Sequence, residues 1–407
     1  MKQIGFTLLL ALSWSALTAA EDWPQFRGPG GQGHSTERGL PLEWSETKHI
    51  AWKVPVPGRG WSSPVVAGGR VWLTTAVDDR GTSLRALAFD VETGREVVNV
   101  EVFRRPRAAL LNVKNSHASP SPIVDGDRVY VHFGAEGTAA LTTSGEIVWD
   151  TRLHYQSQHG NGGSPMLFGD LLILNVDGSD EAYVVALDAR TGKVRWKTRR
   201  REPYAQAYST PLAFTIGDRD AIMSVGAYRA AAYDAHTGKE IWRVDYGDGF
   251  SNVPRPVFGH DLMYIATGFQ QPYLLAVRMD GAGDVTNTHV AWTLQRGAPH
   301  TPSPIIVGDE LYVVSDNGIA SCLDAKTGTS HWVQRLGGSY SSSPVAADER
   351  IYFQNEEGTT TVIAPGTVFQ RLATNTLDGD TLASMAVSDG SIFIRSSDAL
   401  YRISHRP

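Results

Sequence analysis

At 407 residues, with 42% hydrophobic side chains, 41 glycines and 20% charged residues, the chain carries enough apolar surface for a packed core and is not a disordered polymer. Its 43 acidic and 37 basic residues leave a net charge of −6, which argues against a nucleic-acid partner, because phosphate binding needs a basic face. The single cysteine, Cys322, rules out an intrachain disulfide, a Cys-x-x-Cys redox pair and a cysteine-ligated zinc cluster.

Residues 1–20 read as an export signal: Lys2, an apolar run from Ile4 to Leu17, then Thr18, Ala19 and Ala20. The run is too short for a typical membrane span, and no cysteine follows it to take a lipid. The expectation is cleavage and a periplasmic or secreted protein with neither a membrane span nor a lipid anchor. Residues 21–43 form an N-terminal extension, and residues 44–407 carry the repeats.

A small or polar residue followed by Pro recurs as Ser63-Pro64, Ser121-Pro122, Ser164-Pro165, Thr210-Pro211, Arg255-Pro256, Ser303-Pro304 and Ser343-Pro344, with a degenerate eighth copy at Ser384-Met385. The mean spacing is about 46 residues. Each copy continues into an apolar strand, a Gly/Asp turn and a second strand, as in Asp125-Gly126-Asp127-Arg128-Val129-Tyr130-Val131. A second signature follows farther on, complete as Ala186-Leu187-Asp188-Ala189-Arg190-Thr191-Gly192-Lys193-Val194-Arg195-Trp196 and again from Ala232 to Trp242. It reads as strand, Asp/Thr/Gly turn, strand, with a Trp able to cover the seam to a neighbouring repeat. Four short strands and their turns use up the period, so each repeat predicts a four-stranded antiparallel sheet. Radial stacking of eight such sheets gives an all-β, eight-bladed β-propeller. The eighth copy lacks its Trp strand. The missing strand stands at the other end, as His49-Ile50-Ala51-Trp52-Lys53-Val54, and is expected to close the ring.

The Ala-x-Asp-x-x-x-Gly-x-x-x-Trp pattern at residues 186–196 and 232–242 resembles the pyrroloquinoline-quinone-like (PQQ-like) β-propeller repeat family. Cys322-Leu323-Asp324 through Gly328 to Trp332 departs from it at the first position, and Val98 replaces Trp after Asp90 and Gly94. The opening Asp22-Trp23-Pro24-Gln25-Phe26-Arg27-Gly28-Pro29-Gly30 is similar to that of exported members without assigned chemistry. The resemblance implies the fold, and it allows pyrroloquinoline quinone as a cofactor without naming one, since quinoprotein dehydrogenases and an outer-membrane assembly lipoprotein share the propeller. The adjacent cysteine pair of the former and the leader cysteine of the latter are both missing.

In a propeller the chain returns across one face to each innermost strand, so residues just before each Ser-Pro copy should ring one mouth of the channel. These are Trp61, His117, His159, Asn161, Tyr208, Asn252, Arg255, His300 and Tyr340, a set of aromatic faces and polar groups suited to a small polar ligand, a sugar or a peptide end. His117, His159 and His300 come from different repeats, and their spacing does not establish a metal site. The repeated Asp90, Asp188, Asp234 and Asp324 read as turn caps rather than acids, and Trp149, Trp196, Trp242, Trp292 and Trp332 as blade packing. The segment Phe103–His117, with Arg104, Arg105 and Arg107, is expected to be a functional loop over the mouth. The leading reading is a non-catalytic binding module for an unidentified protein or small polar ligand. The alternatives are a quinoprotein-type oxidoreductase and a carbohydrate-active enzyme, and the sequence permits a monomer.

Overall fold

The computed structural model describes residues 21–78, 82–105, 111–200, 204–270 and 272–405. Eight antiparallel sheets follow one another along the chain. Blade 1 is Val65–Ala67, Arg70–Val77, Ser83–Asp90 and Glu96–Arg104, hydrogen-bonded in that order from the axis outward. Blades 2 to 8 repeat the pattern, with innermost strands Ile123–Asp125, Met166–Phe168, Leu212–Ile216, Val257–Gly259, Ile305–Val307, Val345–Ala347 and Ala386–Ser388. The innermost strand is mostly three residues long, which fits eight of them around one axis. Blade 4 adds a fifth, parallel strand, Gly283–Asp284, from an insertion in blade 5 that pairs with Trp242 and Arg243.

The ring closes as the sequence predicts. Strand Ile50–Pro55 pairs antiparallel with Ala399–Ser404, completing blade 8 from the opposite end of the chain. One cooperative ring therefore depends on a non-covalent joint between its two ends.

The second signature works across two blades. Asp188 accepts from the Thr191 N–H and Oγ1 within its own turn, and Asp90, Asp234 and Asp324 do the same with Thr93, Thr237 and Thr327. The Gly of that turn has positive φ, a backbone that side chains rarely tolerate. The preceding blade's Trp lies flat on it: a Cβ on Gly192 would sit 2.5 Å from Trp149, and one on Gly238 2.4 Å from Trp196. The indole N–H then donates to the carbonyl just after the capping Asp, Trp149 to Ala189 at 2.9 Å and Trp196 to Ala235 at 3.0 Å. Trp52 does the same to Val91 at 2.8 Å, so the closing strand uses the same dock.

The small residue at the head of the signature faces the Trp of its own blade. Ala140, Ala186, Ala232, Ala276 and Cys322 pair with Trp149, Trp196, Trp242, Trp292 and Trp332, and the register shifts immediately after each. Cys322 is thus a buried space-filler beneath Trp332, and burial pushes its thiol up to about 11, far from a reactive thiolate.

Candidate functional site

The Ser-Pro copies form a hydrogen-bonded ring about the axis. The Ser63 N–H donates to Ser121 Oγ at 2.9 Å, Ser121 N–H to Ser164 Oγ at 2.9 Å, and Ser164 N–H to Thr210 Oγ1 at 3.0 Å. On the other side Arg255 N–H donates to Ser303 Oγ, Ser303 N–H to Ser343 Oγ, Ser343 N–H to Ser384 Oγ, and Ser384 N–H back to Ser63 Oγ. Each hydroxyl thus satisfies a buried amide of the neighbouring blade, which is why Ser or Thr precedes the Pro. The circuit breaks at Arg255, the one copy without a hydroxyl.

Arg255 turns inward instead. It is 1% exposed; its Nε donates to Pro211 O at 3.1 Å and its Nη1 to Phe26 O at 2.8 Å. Phe26 belongs to the N-terminal extension, which fills the middle of the ring. Trp23 exchanges backbone hydrogen bonds with Val66 of blade 1, and Pro24 O accepts from Val124 of blade 2. Gln32 Oε1 accepts from Phe258 N–H of blade 5, Arg27 Nη2 donates to Pro304 O before blade 6, and Gly33 and Ser35 pair with Ala346 of blade 7. Glu21 O accepts from Ser388 Oγ of blade 8. These partners lie along the innermost strands, beyond the Ser/Thr ring.

The expected open channel is therefore corrected to a cup. Its cavity measures about 450 Å3, with Phe26 and the Ser/Thr ring among its walls. Of the residues expected at the mouth, Trp61, His159, Tyr208 and His300 line it, joined by Asn112, Lys114, Asn115, Phe250 and Phe269. The other five do not. Asn252 is fully buried, donating to Ala266 O and Tyr246 Oη; Tyr340 is packed into a hydrophobic cluster at 1% exposure; Arg255 holds the extension. His117 faces Arg105, and Asn161 packs beside Gly134 and Tyr155. Position before a Ser-Pro step does not reveal whether a side chain turns toward the cavity or back between blades.

Two walls differ in chemistry. Phe250, Phe269 and His300 form an aromatic chain with centroids 5.6 and 5.5 Å apart, and Phe269 is 50% exposed at the rim. Across from them the loop with Asn112, Lys114 and Asn115 leans over the cup, tied down where Asn115 Nδ2 donates to His159 O at 2.7 Å. Lys114 pairs with Glu356 of blade 7 at 2.8 Å, so its charge is met. Among the described residues no carboxylate lines the cavity. The nearest acids behind it are committed: Glu356 to Lys114 and Ser341, Asp316 to the His300 and Thr301 amides. Burial and Lys114 hold His300 below the usual imidazole range, against the pull of Asp316.

The arginine loop is rearranged too. Arg104 is ion-paired with Glu101 at 2.6 Å, Arg105 is buried against Glu136 and His117, and Arg107 lies outside the described residues. Asn112, Lys114 and Asn115 take the place expected for the arginines. Among the described residues no group of three or more His, Cys, Asp or Glu could hold a metal ion, so the three histidines do not converge.

An eight-bladed propeller with a plugged axis and a ligand-sized cup is the class this structure defines. The family described as outer membrane protein assembly factor BamB matches residues 34–172, 143–268 and 226–368, and the chain belongs to this family of PQQ-like repeats. It is 26% identical over 139 residues to the lanthanide-dependent methanol dehydrogenase of Methylorubrum extorquens, covering 30% of this chain and 22% of that protein. It is 28% identical over 117 residues to the BamB of Burkholderia pseudomallei, covering 28% and 30%. The chain thus matches less than a third of the length of either curated relative. Among solved structures, BamB from Moraxella catarrhalis superposes with a TM-score of 0.65 at 13% identity, over 88% of this chain and 98% of that one. Quinohemoprotein alcohol dehydrogenase from Comamonas testosteroni gives 0.67 at 11% identity, over 95% and 81%. At such identities the likeness shows the fold alone.

Proposed function

We propose that the chain is an exported, non-catalytic binding module whose cup takes a polar ligand or a projecting segment of a partner protein. The lining of the cup carries this reading: an aromatic wall facing amides and hydroxyls, with no carboxylate among the described residues. A glycoside hydrolase needs two carboxyl groups flanking the scissile bond, and the described residues lining this cavity include neither. A cup of this size suits a di- or tripeptide-sized group, and uncharged donors and acceptors set orientation rather than chemistry.

The match to a methanol dehydrogenase favours a second reading, an oxidoreductase carrying a quinone. The donor set does not fit a metal-assisted quinone site. A hard cation needs several carboxylate or carbonyl oxygens, the described residues of the lining supply no carboxylate, and one cysteine cannot form the pair expected beside the quinone. No redox step is assigned to these residues.

Photo-crosslinking tests the choice. A benzophenone amino acid at Phe269, on the rim, should give a discrete adduct in the exporting host, while the same group at Val333, exposed on the outer strand of blade 6, should not. Equal labelling at both positions, together with stoichiometric quinone absorbance and dye-linked alcohol oxidation in the presence of calcium or a lanthanide, would overturn the binding reading.

A further inference from the structure

The plug contains two buried cations for which no counter-charge stands among the described residues. Arg27, from the N-terminal extension, is 1% exposed; Arg255, from the step into blade 5, is equally buried. Their partners are all neutral carbonyls: Gln32 and Pro304 for Arg27, Pro211 and Phe26 for Arg255. Among the described residues no carboxylate pairs with either or acts on its charge. Burying one unpaired guanidinium costs several kcal/mol, and here two share one interior. Each is pushed down to about 9, both chiefly by burial and Arg27 also by the charge of Arg255, and both still carry their protons at neutral pH.

The hydrogen bonds are also incomplete. Arg27 Nε and Nη1 are buried without a hydrogen-bond partner. The chain wraps these cations closely with glycine. A Cβ on Gly31 would lie 2.3 Å from Arg255 Nη1, and one on Gly33 2.7 Å from Arg27 Nη2, and both glycines have positive φ. The run Arg27-Gly28-Pro29-Gly30-Gly31-Gln32-Gly33 thus lets bare backbone close over two guanidinium groups.

We propose that Arg27 and Arg255 enclose a small monovalent anion of halide size, which offsets their charge and fastens the N-terminal extension to the ring. The anion accepts from the free N–H groups of Arg27 and neutralises one of the two buried charges. It also ties the plug, and with it the Phe26 wall of the cup, to blade 5. This site is independent of whatever the cup binds.

The test uses the full mature protein and chloride itself. At constant ionic strength, replacing gluconate by chloride should raise the melting temperature and keep raising it with the logarithm of chloride above the dissociation constant. Each tenfold increase corresponds to about 1.4 kcal/mol by linkage. Crystals grown in bromide should show one anomalous peak within contact distance of the Arg27 guanidinium. Arg27→Gln should abolish the chloride dependence, and if that variant does not fold, the wild-type bromide map decides. A water in place of bromide, a melting temperature indifferent to chloride, or a folded Arg27→Gln that keeps the full chloride slope would each overturn the proposal.

Discussion

Truncating Trp52 to Ala should loosen the ring at the joint between its closing strand and the last blade. Trp52 sits on the closing strand, donates to Val91 O at 2.8 Å, lies against Gly94 and has Phe393 at 6.1 Å. Removing a fully buried Trp costs about 3–5 kcal/mol, and this one is half-buried, so about 2–3 kcal/mol is expected from packing. The Val91 carbonyl loses its donor, adding about 1 kcal/mol. Unfolding entropy of about 2.1 cal/mol/K per residue gives about 0.8 kcal/mol/K for a ring of this size, so the melting temperature should fall by about 4–5 °C. Calorimetry on Trp52→Ala beside Trp332→Ala, which loses the indole N–H bond to Gly366 O, and Val333→Ala, at an exposed outer-strand position, separates the effects. Both Trp variants should drop and the Val variant should not. A shift below about 1 °C for Trp52→Ala, with Trp332→Ala falling as expected, would show that the closing strand does not hold the ring.

Gly238→Ala should cost about 2–4 kcal/mol in chemical denaturation, because the new methyl meets Trp196 at 2.4 Å; Gly217→Ala, with similar φ but open space, should cost only about 1 kcal/mol. Equal losses would mean that φ alone explains the conserved turn geometry of the repeats. Ser121→Ala removes the acceptor for the buried Ser63 amide and should cost about 1–3 kcal/mol, whereas Ser121→Thr should be close to wild type, since Thr210 fills the same role in blade 4. His132, fully buried with Nδ1 on Thr138, is held down to about 4 by desolvation. Its unfolded form takes up a proton near pH 6.5 and its folded form only near 4, so its contribution is complete above pH 6.5 and is lost as pH falls toward 4. The loss should be about 2–3 kcal/mol. His132→Asn should flatten that part of the stability profile; an unchanged slope between pH 6.5 and 5 would remove His132 as its source.

How much was legible depends on whether a feature repeats. A single Asp-Thr-Gly turn is ambiguous, but the same turn with a Trp at fixed distance identifies a strand pair, and eight copies leave a closed ring as the way to bury both faces of every sheet. Trp52 without a preceding repeat, and a last repeat without its Trp, gave the joint. The sequence placed the Trp at the seam to a neighbouring repeat but could not name the Gly it covers, because that Gly lies roughly 40 residues away and only stacking brings them together. Of the residues expected at the mouth, Trp61, His159, Tyr208 and His300 line the cavity. Asn252, Tyr340 and Arg255 were not, because side-chain direction at a blade step depends on neighbours from other blades.

Sequence periodicity determined the blade count, the strand order within each blade and the closure, since those follow from local alternation, turn chemistry and the need to cover apolar sheet faces. Tertiary structure alone decided that the axis is blocked. The extension Glu21–Ser35 has no repeat to announce it, and its partners come from Val66, Val124, Phe258, Pro304, Ala346 and Ser388, spread over the whole chain. Arg255 illustrates the difference. In the sequence it is the odd copy in a series of Ser and Thr, and in the folded ring that same oddity anchors the segment that turns a channel into a cup.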